Sequence, residues 1–243
     1  MASNVDTALL LMGLDNDFNP RRMERYIAVV RTCGVEPVMV LTKPDIGVDV
    51  EERIAQLRQR IPDDVPLLHL IPSEQENGGV LAPWLGRGQT LVLLGSSGVG
   101  KSTLTNALTG SGQATGGTRH GDDRGRHTTT VRSLHRCPGG ACIIDTPGLR
   151  AWQPDADEDD LGMSFNDIAA LAEQCQFRDC CHESEPGCAV RGVVDADRLQ
   201  NYRKLLREVR RAEQTALDRI AERGKWKVLM KAAKQRGRDK RSG

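Results

Sequence analysis

Apolar residues along the chain fall in short runs separated by Gly, Pro and charged clusters. Ala8–Met12 is an uninterrupted apolar run closed by Gly13, the pattern of a buried strand. Asn19-Pro20 then predicts a helix start, because Asn caps well and Pro is favoured at the first helical position. Val29 and Val30 fall on that helix and Gly34 closes it. Val38–Leu41 predicts a second buried strand, and Val48–Arg60 a helix with Val50, Ile54 and Leu57 on one face. Val65–Ile71 is a weaker third strand, and residues 72–90 read as a connection with a short helical turn. Leu91–Leu94 predicts a strand, Lys101–Leu108 the start of a helix, and Ala141–Ile144 another strand. Between them, residues 109–127 are rich in Gly, Thr and Arg with no apolar period, the mark of a mobile loop. This alternation predicts an α/β fold with a mostly parallel sheet and helices on both faces.

The pattern changes near residue 155, which divides the chain into units 1–155 and 156–243. Residues 154–160 are acidic and polar, as in a linker. A long amphipathic helix is predicted over 197–223, with Leu199, Tyr202, Leu206, Val209, Leu217 and Ile220 as its apolar stripe. Asp195 or Asp197 caps it and Gly224 ends it; Trp226, Leu229 and Met230 suggest one more short helix before a basic tail.

Composition narrows the function classes. The 243 residues are 38% hydrophobic and 28% charged, a globular profile long enough for a real core. Aromatics at 3% disfavour a base-stacking platform of the RRM kind. The longest apolar run is far too short to span a bilayer, and no secretory signal pattern opens the chain, so a cytoplasmic protein with no membrane partner is expected. Net charge is +1, but residues 201–243 hold 15 Lys/Arg against 5 Asp/Glu. That asymmetry points to a basic C-terminal end that meets a polyanion.

Gly95-Ser96-Ser97-Gly98-Val99-Gly100-Lys101-Ser102 fits the phosphate-loop pattern G-x-x-x-x-G-K-[ST] in full, with Thr103 following it. It lies between a predicted strand and a predicted helix, the context the motif requires. Its glycines let backbone N–H groups curl around phosphate oxygens, and the helix N-terminus adds its dipole. Lys101 would reach the terminal phosphates and Ser102 would offer a hydroxyl to Mg²⁺.

Two further strand ends complete a nucleotide site. Asp145-Thr146-Pro147-Gly148 gives a D-x-x-G with Asp145 placed for Mg²⁺ and Gly148 for a γ-phosphate contact. Thr42-Lys43-Pro44-Asp45 matches the [NT]-K-x-D guanine reader. The Asp45 carboxylate can accept from guanine N1–H and the 2-amino group, which adenine cannot supply, and the Lys43 stem can lie on the base plane.

Seven cysteines, four of them within residues 175–188, suggest a metal rather than a disulfide framework. Cys175, Cys180, His182 and Cys188 form C-x4-C-x-H-x5-C, a complete Cys₃His set suited to one structural zinc; Cys181 is an extra thiol beside it. Cys33, Cys137 and Cys142 are expected in or near the core.

The order of the motifs is informative. Ordinary GTPases run phosphate loop, switch, D-x-x-G, then base reader, whereas here the base reader comes first. The chain resembles the circularly permuted GTPases, and within them the ribosome small-subunit-dependent GTPase A family (RsgA/YjeQ). The resemblance runs from about Asn4 to the C-terminal tail and rests on Asp17–Arg22, Thr42–Asp45, Gly95–Ser102, Gly125–Thr130, Asp145–Gly148 and the cysteine spacing, which favours Cys180 over Cys181 as ligand. It implies a permuted GTPase domain over 1–155 with a switch at 119–130, followed by a zinc-binding, basic helical domain over 156–243. Leu149 stands where many GTPases place a water-orienting Gln, and the resemblance implies a switch histidine in its stead, His127. One of Thr128, Thr129 and Thr130 should bind Mg²⁺, with Thr129 taken beside His127 and Lys101 in the catalytic set.

The resemblance therefore implies a monomeric GTP hydrolase, slow alone, acting as a ribosome-stimulated switch in late maturation of the small (30S) subunit, with rRNA and GTP/GDP as partners and Zn²⁺ and Mg²⁺ as cofactors. The alternatives are a large-subunit assembly GTPase of the same permuted class, a zinc RNA-binding module with a decayed GTPase domain, and an ATP-using phosphate-loop enzyme. The resembled family usually carries an N-terminal OB-fold domain, for which this sequence leaves no room ahead of its first strand.

Overall fold

The computed structural model describes residues 4–73, 77–111, 133–146 and 158–213. Its centre is a six-stranded sheet ordered β3-β2-β1-β4-β6-β5. The strands are β1 (Thr7–Gly13), β2 (Glu36–Thr42), β3 (Leu67–Leu70), β4 (Thr90–Gly95), β5 (Ser133–Arg136) and β6 (Cys142–Asp145). All neighbours pair in parallel except β5 on β6. The edge strand β5 has no counterpart among the predicted elements. It carries one large apolar residue, Leu134, and that residue is exposed, so no hydrophobic run announces it.

β1 is buried along its whole length because both of its faces are covered. Ala8, Leu10 and Met12 pack with Met23, Tyr26, Ile27 and Val30 of α1 (Pro20–Thr32) and Leu57 of α2 (Val50–Arg58). Leu9 and Leu11 point the other way, into a cluster with Leu104 and Leu108 of α4 (Lys101–Thr109) and with Leu81. Leu81 sits between α3 (Asn77–Val80) and a 3-10 turn, Ala82–Trp84. Helices thus cover both faces, as the alternation predicts. Asn19 caps α1, its side chain accepting from the Arg22 N–H, with Pro20 at the first helical position.

The helices after residue 157 pack on the outer side of α1. α5 (Glu158–Ser164), α6 (Asn166–Ala172) and α7 (Ala196–Glu213) bury Leu161, Phe165, Ile168, Leu199 and Leu205 with Ala28 of α1. Helix α5 corrects the linker expected over 154–160, since Glu158 already lies in it. Its acidic start is a favourable helix N-terminus rather than a break. Asp195 is the residue that caps α7, accepting from the Arg198 N–H at 2.9 Å. Leu205, outside the predicted stripe, is fully buried, while Tyr202 and Leu206 flank it half-buried. The portion of the predicted helix beyond residue 213 lies outside the described residues, as does the predicted helix at Trp226–Met230.

A buried ionic network seals this interface. Glu24 of α1, 3% exposed, accepts from Arg60 at 2.8 Å, Arg198 at 2.8 Å and Asn201 at 2.5 Å. Arg198 also forms a two-pronged pair with Asp167 and lies 4.6 Å over the Phe165 ring. At its rim, Arg21 and Arg60 pair with Asp197, and Arg25 pairs with Glu208. Every buried charge here has a partner, which is the condition for burying it at all.

One cysteine departs from expectation. Cys137 is buried and Cys142 half-buried, but Cys33 is exposed. It is the C-cap of α1, where the chain turns through Gly34 at the solvent edge.

Candidate nucleotide and metal sites

Three parallel strands, β2, β4 and β6, end on one edge of the sheet, the position where open α/β sheets place ligands. The phosphate loop leaves β4 at Gly95 and enters α4 at Lys101. Gly100 has φ +104, and a Cβ there would meet Pro72 Cγ at 2.8 Å, so glycine is required by both conformation and space. That close approach also brings the Ile71-Pro72-Ser73 segment against the phosphate loop. Lys101 is buried, and its ammonium donates to the Gly95 carbonyl at 3.0 Å and the Ser96 carbonyl at 2.6 Å. Burial lowers its pKa to about 8, partly offset by the charge of Asp145. Thr103 follows in the first turn of α4, half-buried.

Asp145 ends β6 with no exposed surface. Its Oδ2 accepts from Ser102 Oγ at 2.9 Å, while Oδ1 is buried without a hydrogen-bond partner among the described residues. A buried carboxylate oxygen in that condition, beside a hydroxyl, suits a hard cation with oxygen ligands. The residues present therefore fit Mg²⁺. Thr146 fixes the strand end by donating to the Leu93 carbonyl at 2.7 Å.

The candidate base-reading segment, Thr42–Asp45, begins at the end of β2. Thr42 is fully buried and its hydroxyl donates to the Val99 carbonyl at 2.8 Å, joining the segment to the phosphate loop. Lys43 has φ +59, a turn runs through Pro44, and Asp45 is exposed. The structure thus brings together Thr42, Lys43, Gly95–Ser102 and Asp145, from strands separated in sequence. His127, Thr128, Thr129, Thr130 and Gly148 lie outside the described residues.

Cys175, Cys180, His182 and Cys188 converge, their ligand atoms all within 4.8 Å of one another. His182 Nδ1 lies 3.7 Å from Cys175 Sγ and 3.5 Å from Cys188 Sγ. Backbone N–H groups of Ala189 and Arg191 donate to the Cys175 and Cys188 sulfurs, each at 3.4 Å. Burial pushes the Cys188 thiol up, but backbone N–H groups of Arg191 and Val190 help hold it below its ordinary value, which favours the ligating thiolate. The four predicted ligands can hold a metal ion. Cys181 is exposed and outside the group.

The sequence profile of the RsgA GTPase family matches residues 1–155. The chain belongs to the RsgA GTPase family. The small ribosomal subunit biogenesis GTPase RsgA of Xanthomonas oryzae pv. oryzae (strain PXO99A) is 47% identical over 233 residues, covering 93% of this chain and 64% of that protein. The protein of the same name from Xanthomonas axonopodis pv. citri (strain 306) is 46% identical over the same span. The chain thus spans 64% of the length of these curated relatives. Among solved structures, YjeQ from Thermotoga maritima aligns with a TM-score of 0.62 at 25% identity, covering 85% of this chain and 72% of that one. YloQ, described as a circularly permuted GTPase, aligns at 0.60 and 25% identity, covering 87% and 70%.

As an RsgA-family fold, the sheet explains how permutation leaves the site intact. Strand β2, which leads into Thr42–Asp45, precedes the phosphate-loop strand β4 in the chain, and β1 lies between them in the sheet and holds the two ends at fixed spacing. Asp17 enters the sequence reading only as the start of the Asp17–Arg22 resemblance, and Asp15 is not singled out; in the structure they touch Ser96 at 2.6 Å and Lys43 at 2.6 Å, respectively. The available signal was their place directly after β1, the strand that neighbours both motif-bearing strands.

Proposed function

We propose that this RsgA-family chain binds GTP with Mg²⁺ and hydrolyses it slowly alone, and that the small ribosomal subunit stimulates hydrolysis late in its maturation. The observation that carries the reading is the convergence of Thr42, Lys43, Gly95–Ser102 and Asp145 on one sheet edge, tied by the Thr42–Val99 and Ser102–Asp145 hydrogen bonds. Residues 1–155 form the GTPase unit in this reading, and 156–243 the metal-binding basic unit.

The motif residues divide the work. Phosphate-loop N–H groups cradle the phosphates, and Lys101 turns from its carbonyl partners to the terminal phosphates. Asp45 accepts from the guanine edge. Ser102 and Asp145 hold Mg²⁺, which when bound neutralises charge on the β- and γ-phosphates. His127 orients the attacking water, and Thr129 and Gly148 sense the γ-phosphate. With Leu149 where a Gln would orient water, hydrolysis waits on a partner that orders the switch.

The Cys₃His set holds one structural zinc, since four protein ligands leave no open position. Exposed Lys204, Arg207 and Arg211 on α7 offer cations to rRNA phosphates. The names of the RsgA relatives support the small subunit as partner. The protein works as a monomer in the cytoplasm, where the ribosome is assembled.

Nucleotide selectivity tests the site. The wild type should bind GDP and GTP far more tightly than ADP and ATP, and Asp45→Ala should lose that preference. Equal affinity for both bases in the wild type would contradict the reading.

A further inference from the structure

The turn from Leu14 to Asn19, between β1 and α1, lies outside the nucleotide motifs yet grips two of them. It begins at Gly13, where a Cβ would sit 2.3 Å from Asp15 Oδ1. Only glycine lets the Asp15 carboxylate fold back over the strand end. There Oδ1 accepts from the Asp17 N–H at 3.0 Å, and Oδ2 takes the Lys43 ammonium at 2.6 Å. The two side chains are 17% and 19% exposed, so water screens the pair poorly.

Other contacts fix the carboxylate in place. Arg53 donates to the carbonyls of Leu14 at 2.5 Å and Asp15 at 2.8 Å, and its guanidinium lies 5.2 Å over the Phe18 ring. Burial pushes the Asp15 carboxyl up, but the Lys43 hydrogen bond and charge, with the Asp17 N–H, hold it below its ordinary value. Lys43 itself has φ +59, a backbone conformation that a non-glycine residue keeps only where its surroundings hold it. On the other side of the turn, Asp17 Oδ2 accepts from Ser96 Oγ of the phosphate loop at 2.6 Å and pairs with Arg22 at 2.8 Å.

We propose that Asp15 is a positioning residue for guanine recognition that acts through Lys43. The carboxylate pins the ammonium at the strand end, so that the Lys43 methylene stem forms the platform for the base while Asp45 reads its edge. Asp17 joins the same turn to Ser96, and the turn sets the spacing between base reader and phosphate loop. The proposal rests on the GTP-binding reading of the site.

A double-mutant cycle tests it, with a fluorescent GDP analogue as probe and nucleotide-free melting as the folding control. Asp15→Asn keeps the shape and the acceptor for the Asp17 N–H but drops the charge that holds Lys43. It should weaken binding about tenfold, the scale of one charge-assisted hydrogen bond. Asp15→Ser, smaller and uncharged, should match it. In a Lys43→Met background, Asp15→Asn should change affinity no further. An equal loss in both backgrounds would reduce Asp15 to a structural residue and overturn the proposal, as would no loss from Asp15→Asn alone. If the wild type binds no guanine nucleotide, the reading of the site itself fails and the proposal falls with it.

Discussion

The Thr42 hydroxyl donates to the Val99 carbonyl across 57 residues of sequence, at 2.8 Å and out of contact with water. This bond locks the end of β2 to the phosphate loop. The first bond of the α4 ladder is accepted by Gly100, which leaves the Val99 carbonyl to the Thr42 hydroxyl among the described residues. Thr42→Val keeps the volume and removes the hydroxyl, leaving a buried carbonyl unpaired. It should cost roughly 1–3 kcal/mol of stability in urea unfolding. Thr42→Ser should recover most of the loss.

Lys101 provides a pH test with a definite sign. Burial lowers its pKa from 10.5 to about 8, so between those values the unfolded chain binds a proton that the folded chain has released. Stability of the nucleotide-free protein from this group therefore rises with pH across that window. Relative to Lys101→Met, the wild type should gain melting temperature from pH 8 to pH 10. A flat difference would contradict the assigned burial. The same variant should lose roughly 1.5–3 kcal/mol of GTP affinity, the value of a hydrogen bond to a charged group.

Glu24 ties α1 to α7 and to the end of α2 through Arg198, Asn201 and Arg60. Glu24→Ala strands two buried guanidiniums, though each keeps one carboxylate, Asp197 for Arg60 and Asp167 for Arg198. The expected cost is about 3–5 kcal/mol, the range for breaking a buried ion pair from one side. Equilibrium unfolding followed by both fluorescence and circular dichroism would measure it. A loss below 1 kcal/mol would mean that the interface rests on the Phe165–Leu199 apolar cluster alone.

The central strands and the phosphate loop were legible because their signals are local: an apolar run, a capping Asn-Pro, a Gly-rich turn ahead of Lys-Ser. Glu24, Arg60 and Arg198 were not. A charged residue on a helix reads as solvent-facing, and these partners lie 36 and 174 residues apart in sequence. β5 escaped because an edge strand with one exposed Leu carries no burial pattern. α5 and α6 are seven residues each, too short for helical periodicity to stand out beside an acidic stretch. Within the site, the motif residues were legible by spacing, whereas Asp15 and Asp17 gain meaning only when β1 is seen between β2 and β4.

The Cys₃His cluster should carry one zinc per chain, measured by elemental analysis of the purified protein. Cys188→Ser should lower that content and destabilise the segment between α6 and α7. Chelation should have the same effect on the wild type while leaving GDP affinity unchanged, because Cys175 and Cys188 pack against the apolar cluster of α5–α7 rather than at the sheet edge that carries the phosphate loop. Cys181→Ser should leave zinc content intact, since Cys181 stands outside the group.

The most direct test of the account is GTP hydrolysis by the purified chain, titrated with small ribosomal subunits and, separately, with large ones. Small subunits should accelerate turnover and large subunits should not. Acceleration by large subunits alone, or GTP binding with a rate that neither subunit changes, would contradict the proposed role in small-subunit maturation.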